Sequence, residues 1–162
     1  MDDQKKAALE KAMKDFDRKR TEAAKRQEAT ETKQTEVSRA IERCFTEVIR
    51  PEMEEVKSTL AKGKHECTIS EQKRTTTTDL PEEPDHIKLE IKPAPPASGA
   101  HVTTTTRTIY FAAVPREGKI VIGTGSVPEY PNRREGTRYE PSRLSRDEVA
   151  KQLVSFVREV LA

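Results

Sequence analysis

Apolar residues follow two different periods along this chain, and the period changes near Gly63. Before this glycine the spacing is helical, and after it apolar and polar residues alternate as they do in half-buried strands. The same position separates a segment with no glycine and a single proline from one that holds all six glycines and nine prolines. Because helix and strand signals are segregated in this way, we expect an α+β fold with an antiparallel sheet.

Residues 1–35 are rich in Lys, Glu, Ala, Arg and Gln, which all favour helix. Leu9, Met13 and Phe16 follow the 4,3 spacing of a coiled-coil seam, and the same register continues as far as Val48. The middle of this register is not apolar, since it consists of Arg20, Ala23, Gln27, Thr30 and Gln34. We interpret residues 1–35 as a polar helical arm, solvated and frayed in part, with a short coiled-coil contact over residues 9–16 as the alternative.

The next segment, residues 36–62, carries an apolar stripe at helical spacing, which predicts a helix with one buried face. The stripe consists of Val37, Ile41, Phe45, Val48, Ile49, Met53, Val56 and Leu60. Pro51 removes one backbone donor within it, so we expect a continuous helix that is kinked near Pro51. The alternative is a new helix with Pro51 in its first turn, for which Arg50 is a poor N-cap. Gly63 is expected to cap the C terminus.

Alternation predicts four to five strands within residues 65–140. The clearest strand has Ile87, Leu89 and Ile91 between charged neighbours. The other candidates are residues 67–69, 101–114, 119–124 and a last short strand at 136–140. Residues 115–118 read Pro-Arg-Glu-Gly, which is typical of a hairpin turn, so the strands on either side of them are expected to be antiparallel neighbours.

A second helix is predicted over residues 146–161, because Ser145 and Glu148 form a capping box immediately before an apolar stripe. The stripe consists of Val149, Leu153, Phe156, Val157 and Val160. We expect this C-terminal helix and helix 36–62 to pack on one sheet face, while the other face, rich in threonine and charge, is solvated. Residues 36–162 are thus interpreted as a single α+β domain.

Composition and charge narrow the classes of function. Hydrophobic residues make up 33% of the 162 residues, below the roughly 45–50% of an average domain, and the deficit falls mainly in the arm. The net charge is +2, and no large segment exceeds +3, so no strong attraction to nucleic acid or to a membrane surface is expected. No apolar run approaches the roughly 18 residues that span a bilayer, and the first ten residues lack the apolar core of a secretory signal. We therefore expect a cytoplasmic protein.

The residues that could carry chemistry form no catalytic or metal-binding motif. Cys44 and Cys67 are interpreted as reduced, buried thiols, with a structural disulfide as the alternative. His65 and Cys67 are two residues apart, but the second ligand pair of a typical zinc site is missing. The threonine runs at 75–78 and 103–106 suit exposed strand positions. We expect no catalytic residues, no metal and no cofactor.

An arginine-rich patch is the candidate for contact with an anion. It consists of Arg133, Arg134, Arg138, Arg143 and Arg146, with Tyr130 and Tyr139 between them. Arginine and tyrosine together suit contacts to phosphate and bases. Glu129, Glu135 and Glu140 offset much of the charge, so a solvated loop with local ion pairs is the simpler interpretation.

These patterns favour a non-enzymatic protein–protein interaction or assembly module, expected to be a homodimer. Leu9, Met13 and Phe16 are the predicted partner contacts, because an apolar strip on a polar helix favours a partner. One alternative is a small-ligand-binding domain or small enzyme with a pocket between the sheet and the helices. The other is a weak nucleic-acid or anion binder that uses Arg133, Arg134, Arg138 and Arg143.

Overall fold

The structure is a computed structural model, and it describes residues 3–73, 85–98, 104–128 and 136–162. Its helices are α1 (Asp3–Cys44), α2 (Arg50–Lys62) and α3 (Arg146–Leu161), with a π-helical turn at Phe45–Ile49 and a 3-10 turn at Pro141–Arg143. Its strands are β1 (Glu66–Gln72), β2 (His86–Lys92), β3 (Arg107–Val114), β4 (Lys119–Thr124) and β5 (Thr137–Tyr139). The α+β class is therefore confirmed, with a long N-terminal helix, an antiparallel sheet and a C-terminal helix. The chain divides into two compact units, Met1–Val37 and Ser38–Ala162.

The described part of the first unit is helical throughout, although threonine recurs in it and has only modest helix propensity. Each of four threonines donates its hydroxyl to the carbonyl four residues earlier, at 2.9 Å: Thr21, Thr30, Thr32 and Thr35. Side-chain pairs one turn apart add to this, such as Gln27 with Glu31 and Arg18 with Asp15. The threonine hydroxyls are thus satisfied within the helix itself, and the side-chain pairs stabilise it along its own length.

The helical backbone continues from α1 into α2, but it widens to a π turn at Phe45–Ile49. The N–H of Arg50 donates to the carbonyl of Phe45, which is the five-residue spacing of a π turn. Pro51 lies in the first turn of α2. Both sequence interpretations are therefore combined: the helical backbone is continuous, and Pro51 begins a new α-helical stretch. The irregularity expected at Pro51 lies in the turn before it.

The spacing of buried residues explains why the helix widens here. Ile41, Phe45, Ile49 and Met53 are buried and recur every four residues. On a regular α-helix, four residues overrun one full turn by about 40°, so three such steps would carry the stripe away from the sheet. A π turn holds more residues per turn and takes up this excess. Val48, which the sequence placed in the stripe, is only half-buried.

The C terminus of α2 is capped by Gly63, as predicted, but the left-handed residue is Lys64, with φ 61°. The N–H of His65 donates to the carbonyl of Leu60 at 3.2 Å, and the N–H of Lys64 donates to that of Ala61 at 3.1 Å. This pair of bonds is a Schellman motif. Glycine is needed at position 63 for space, since a Cβ there would lie 2.8 Å from Cδ2 of His65.

The sheet is a meander in which β1 to β5 lie side by side in sequence order, and each strand is antiparallel to its neighbours. The hairpin predicted at residues 115–118 is confirmed, because Val114 pairs with Lys119 across it. The strand expected from residue 101 begins later, at Arg107. Residues 104–106 are not strand, and residues 101–103 lie outside the described residues.

One face of the sheet packs against the helices and forms the main core. Its buried residues are Ile87, Leu89, Ile91, Ile109, Phe111, Ala113, Ile120 and Ile122. From α3 the buried residues are Val149, Leu153 and Phe156, and an ion pair between Arg50 and Glu71 links α2 to β1. The predicted N-cap is confirmed, since Ser145 Oγ accepts a hydrogen bond from the Glu148 N–H at 3.2 Å. The second bond of a capping box is replaced, because the Ser145 N–H donates to the carbonyl of Arg143 at 3.2 Å.

The expectation that the second sheet face is solvated is wrong over β3 and β4. Tyr110, Ala112, Val114 and Val121 are buried there as a separate apolar cluster, and Val127 packs against it. These residues alternate with the core residues of the same strands, so they point to the opposite face. On the same face of β2, Lys88 and Glu90 form a half-exposed ion pair at 3.4 Å, as expected, whereas His86 at the start of the strand is buried.

Candidate functional site

The predicted partner contacts lie on one exposed stripe of α1. Leu9, Met13 and Phe16 are 53%, 59% and 66% exposed, which makes them the most exposed large apolar side chains among the described residues. Their spacing of four and three residues places them on the same side of the helix. We call these three residues the arm stripe. Side chains of this size are more often buried, so the arm stripe is a candidate contact surface.

The register of the arm stripe continues along α1, but its later positions have different surroundings. Arg20, Ala23, Gln27, Thr30 and Gln34 are exposed, and Val37 is half-buried. Ile41 and Cys44 are buried within the unit Ser38–Ala162. The large apolar side chains that are exposed along the described part of this register are therefore those of the arm stripe.

The arginine patch is only partly described, because Arg133 and Arg134 lie outside the described residues. Arg138 forms an ion pair with Glu117, and its hydrogen bond lowers the pKa of the Glu117 carboxyl. Arg143 lies 3.6 Å (Nε to Oε2) from Glu140, and both side chains are largely exposed. Arg146, the third described arginine of the patch, lies near Glu52 of α2. Each described arginine of the patch therefore has a carboxylate near it, but Glu117 and Glu52 belong to other elements, and the pair of Arg143 with Glu140 is the one that is local in sequence.

A shallow depression of about 420 Å³ lies between β4, β5 and the start of α3. It is lined by Lys119, Arg138, Tyr139, Glu140, Arg143 and Glu148. The structure thus brings Arg138 and Arg143 to one place, together with two carboxylates. This mixed lining favours neither a phosphate nor a metal ion, because Arg138 and Arg143 each already pair with a carboxylate.

Sequence reasoning missed one hydrogen-bonded group at this depression. Tyr139 donates to Glu148 Oε1 at 3.2 Å, and the Gln152 amide donates to the same carboxylate oxygen at 3.1 Å. These bonds, from Gln152 first, lower the pKa of Glu148, while burial and the nearby carboxylate raise the pKa of Tyr139. The four-residue spacing of Glu148 and Gln152 on a helix is the sequence signal that could have revealed the pair. The group ties α3 to β5.

A second, larger cavity of about 450 Å³ opens between the sheet and α3, where the ligand-binding alternative would place its pocket. Its lining includes Ile109, Ile122, Thr124, Thr137, Gln152, Ser155, Phe156 and Glu159. These side chains are mainly apolar, hydroxyl or amide, and Glu159 is the carboxylate among them. The described lining offers no nucleophile–base pair of the kind that covalent catalysis needs.

The two cysteines are free thiols in different surroundings. Cys44 is buried in the domain core, and burial raises the pKa of its thiol from 9.0 to about 11. Cys67 is half-buried, and burial also raises the pKa of its thiol, opposed by the charge of Lys57. A raised thiol pKa is the opposite of what an activated cysteine nucleophile needs. His65 accepts a hydrogen bond from the Ala94 N–H at 3.0 Å, so one ring nitrogen is already engaged.

The remaining candidates from the sequence add no site. Threonines 75–78 and 103 lie outside the described residues, and threonines 104–106 precede β3 rather than extend it. Within the described ranges, His, Cys, Asp and Glu form no group of three or more that could hold a metal ion. The same residues include no helix that is long and apolar enough to cross a membrane.

Comparison with protein-family models, with curated proteins and with solved structures finds no match to this chain. The fold is an α+β meander with a long N-terminal helix, and the functional argument therefore depends on the surfaces described above.

Proposed function

We propose that this protein is a non-enzymatic assembly module that forms a homodimer through its N-terminal helix. The observation that carries the proposal is the exposure of the arm stripe, Leu9, Met13 and Phe16, on one side of a helix that is otherwise polar. Burial of each such side chain against a partner contributes about 1.5–3 kcal/mol, less the part that is already covered. A second copy of the chain supplies a matching stripe by symmetry.

The surroundings of the arm stripe support this proposal. Residues 3–36 are exposed almost throughout, so contacts along the helix itself leave the stripe uncovered. Free thiols at both cysteines fit a reducing compartment, and we place the module in the cytoplasm. The short apolar stripe is typical of a reversible contact rather than an obligate one.

Sedimentation velocity at high micromolar concentration tests the proposal on the full chain. We expect a dimer for the natural sequence and a monomer for the triple variant Leu9→Gln, Met13→Gln, Phe16→Gln. Glutamine is a good helix former, so circular dichroism should show unchanged helix content. The matched control is Ala7→Gln, Lys11→Gln, Arg18→Gln, which changes three exposed residues on the opposite side of the same turns.

Two outcomes would overturn the proposal. If the natural chain sediments as a monomer throughout, the arm does not mediate self-association. If the triple variant and the control both remain dimers, another surface holds the copies together and the arm stripe has a different role.

A further inference from the structure

We infer that the two arms pair in parallel and in register, an inference that rests on the proposed function and assigns its geometry. The 4,3 register gives seam positions a (Lys6, Met13, Arg20, Gln27, Gln34) and d (Leu9, Phe16, Ala23, Thr30). Two flanks border such a seam: position e follows each d residue, and position g precedes each a residue. Charges at these flanks decide how two helices can align.

The two flanks of the arm carry opposite charge. The e flank consists of Glu10, Asp17, Ala24 and Glu31, and the g flank consists of Lys5, Ala12, Lys19, Arg26 and Lys33. All of these side chains are exposed along α1. The helix therefore presents its arm stripe between one acidic edge and one basic edge, with no charge of the wrong sign on either edge.

Parallel pairing brings the basic edge of one copy against the acidic edge of the other. In this arrangement each g residue faces the e residue five positions later in the second copy. Lys5 then faces Glu10 of the second copy, and Arg26 faces Glu31 of the second copy. Symmetry makes each contact twice, which gives four attractive pairs. In the two pairs between them, Ala12 faces Asp17 and Lys19 faces Ala24, so no like charges meet.

Antiparallel pairing gives the opposite result, because g then faces g and e faces e. The basic edges would meet each other, and so would the acidic edges, which is destabilising at this spacing. Glu31 is already positioned toward the seam, since Gln27 at position a donates to its Oε1 at 3.2 Å. Polar residues at position a weaken the seam, so its apolar contact comes from the arm stripe and its alignment from the two charged edges.

Cysteine crosslinking at two seam positions tests the alignment. Disulfides require Cα atoms within about 7 Å, so a crosslink reports which residues face each other. Ala23→Cys and Thr30→Cys are made separately, with the natural chain as the control for background crosslinking through Cys44 and Cys67. A parallel, in-register dimer should crosslink at both positions. An antiparallel dimer has one twofold axis perpendicular to the helices, and only a residue at that axis faces the same residue of the second copy. At most one of the two positions can therefore crosslink in an antiparallel dimer.

Each outcome separates the inference from the function on which it rests. A monomer in sedimentation overturns the proposed dimer and the alignment together. A dimer that crosslinks at one position or at neither overturns only the alignment.

Charge reversal of the basic edge gives a second readout. Lys5→Glu with Arg26→Glu should raise the dissociation constant of a parallel dimer about tenfold, because four attractive pairs become repulsive. An antiparallel dimer would not be weakened in this way, because the new glutamates would face either lysine or glutamate on the same edge of the second copy. The control is Lys11→Glu with Arg18→Glu, away from the seam, and an equal effect of both double variants would count against the alignment.

Discussion

Arg146 Nη2 donates a hydrogen bond to the carbonyl oxygen of Glu47 at 3.2 Å, across 99 positions of sequence. Pro51 has no N–H, so this carbonyl lacks the α-helical donor that would follow it by four residues. The guanidinium also lies 4.0 Å (Nε to Oε1) from Glu52. Arg146 therefore links the first turn of α3 to the π turn and to the first turn of α2.

Replacement of this arginine should destabilise the domain. For Arg146→Ala we expect the free energy of unfolding to fall by about 1 kcal/mol, the net contribution of one hydrogen bond to a charged group with an exposed ion pair. Urea denaturation followed by circular dichroism measures it. Arg143→Ala is the control, because Arg143 is exposed and its ion-pair partner among the described residues, Glu140, is local in sequence. If the two substitutions lower the free energy of unfolding equally, the hydrogen bond to Glu47 makes no specific contribution to stability.

The left-handed backbone at Lys64 should be relieved by glycine. This backbone conformation costs a residue with a Cβ about 1–2 kcal/mol in the folded state. Glycine avoids that cost, but it loses about 0.5–1 kcal/mol more in backbone entropy when the chain folds. Lys64→Gly should therefore raise the free energy of unfolding by about 0.5–1 kcal/mol, measured by the urea midpoint. Lys62→Gly, inside α2, should lower it by a similar amount. A lowered midpoint for Lys64→Gly would contradict the Schellman cap.

Gly123 lets the ring of Tyr110 lie across the neighbouring strand. The two residues face each other in the β3–β4 register, and a Cβ at position 123 would collide with the tyrosine hydroxyl. Gly123→Ala should therefore lower the free energy of unfolding by about 1–3 kcal/mol, the usual range for overpacking. The penalty should shrink in a Tyr110→Leu background, because the clash is then removed. Additive effects in this double-mutant cycle would argue against the close approach.

The two thiols should differ in reactivity. At pH 8 we expect Cys67 of the folded protein to react faster with an aromatic disulfide reagent, and Cys44 to react only on unfolding, because Cys44 is buried and its pKa is raised to about 11. Cys67→Ser should leave one slow thiol, and Cys44→Ala one fast thiol. Two fast thiols in the natural chain would show that the core around Cys44 opens readily.

The same pKa predicts how stability depends on pH. The folded state keeps the Cys44 proton above pH 9.0, where the unfolded thiol releases it, so folding binds a proton in that range. The contribution of the Cys44 thiol to the free energy of unfolding is therefore fully present below pH 9.0 and is lost as the pH rises toward about 11. A pH series of urea midpoints for the natural chain and Cys44→Ala isolates this contribution.

Much of the fold was accessible from the sequence, because local signals and tertiary packing agree in most elements. The alternation around Leu89, the hairpin before Lys119 and the capping box at Ser145 each depend on residues close in sequence. The π turn was missed because a 4,3 register was assumed through Cys44 to Val48. The spacing of four from Ile41 to Met53 was the signal for it.

The second apolar cluster was missed for a different reason. In the run from Arg107 to Val114, Tyr110, Ala112 and Val114 alternate with residues of the main core, so both faces of β3 are apolar. A continuous apolar run has no period that assigns a face, and it is typical of a strand that is buried on both sides. The sequence indicates Arg146 only as part of a charged patch, because its hydrogen-bond partner is a backbone carbonyl, which no side-chain pattern reveals.

The strand order of the meander also bears on the order of folding. Each described strand pairs with its neighbours in sequence, so every step in the growth of the sheet closes a connection far shorter than the segment between α2 and α3. The contact between Arg146 and Glu47 encloses the whole sheet and forms only when both ends of the domain meet. We therefore expect the docking of α3 to come late in folding, after the strands between it and α2 have assembled.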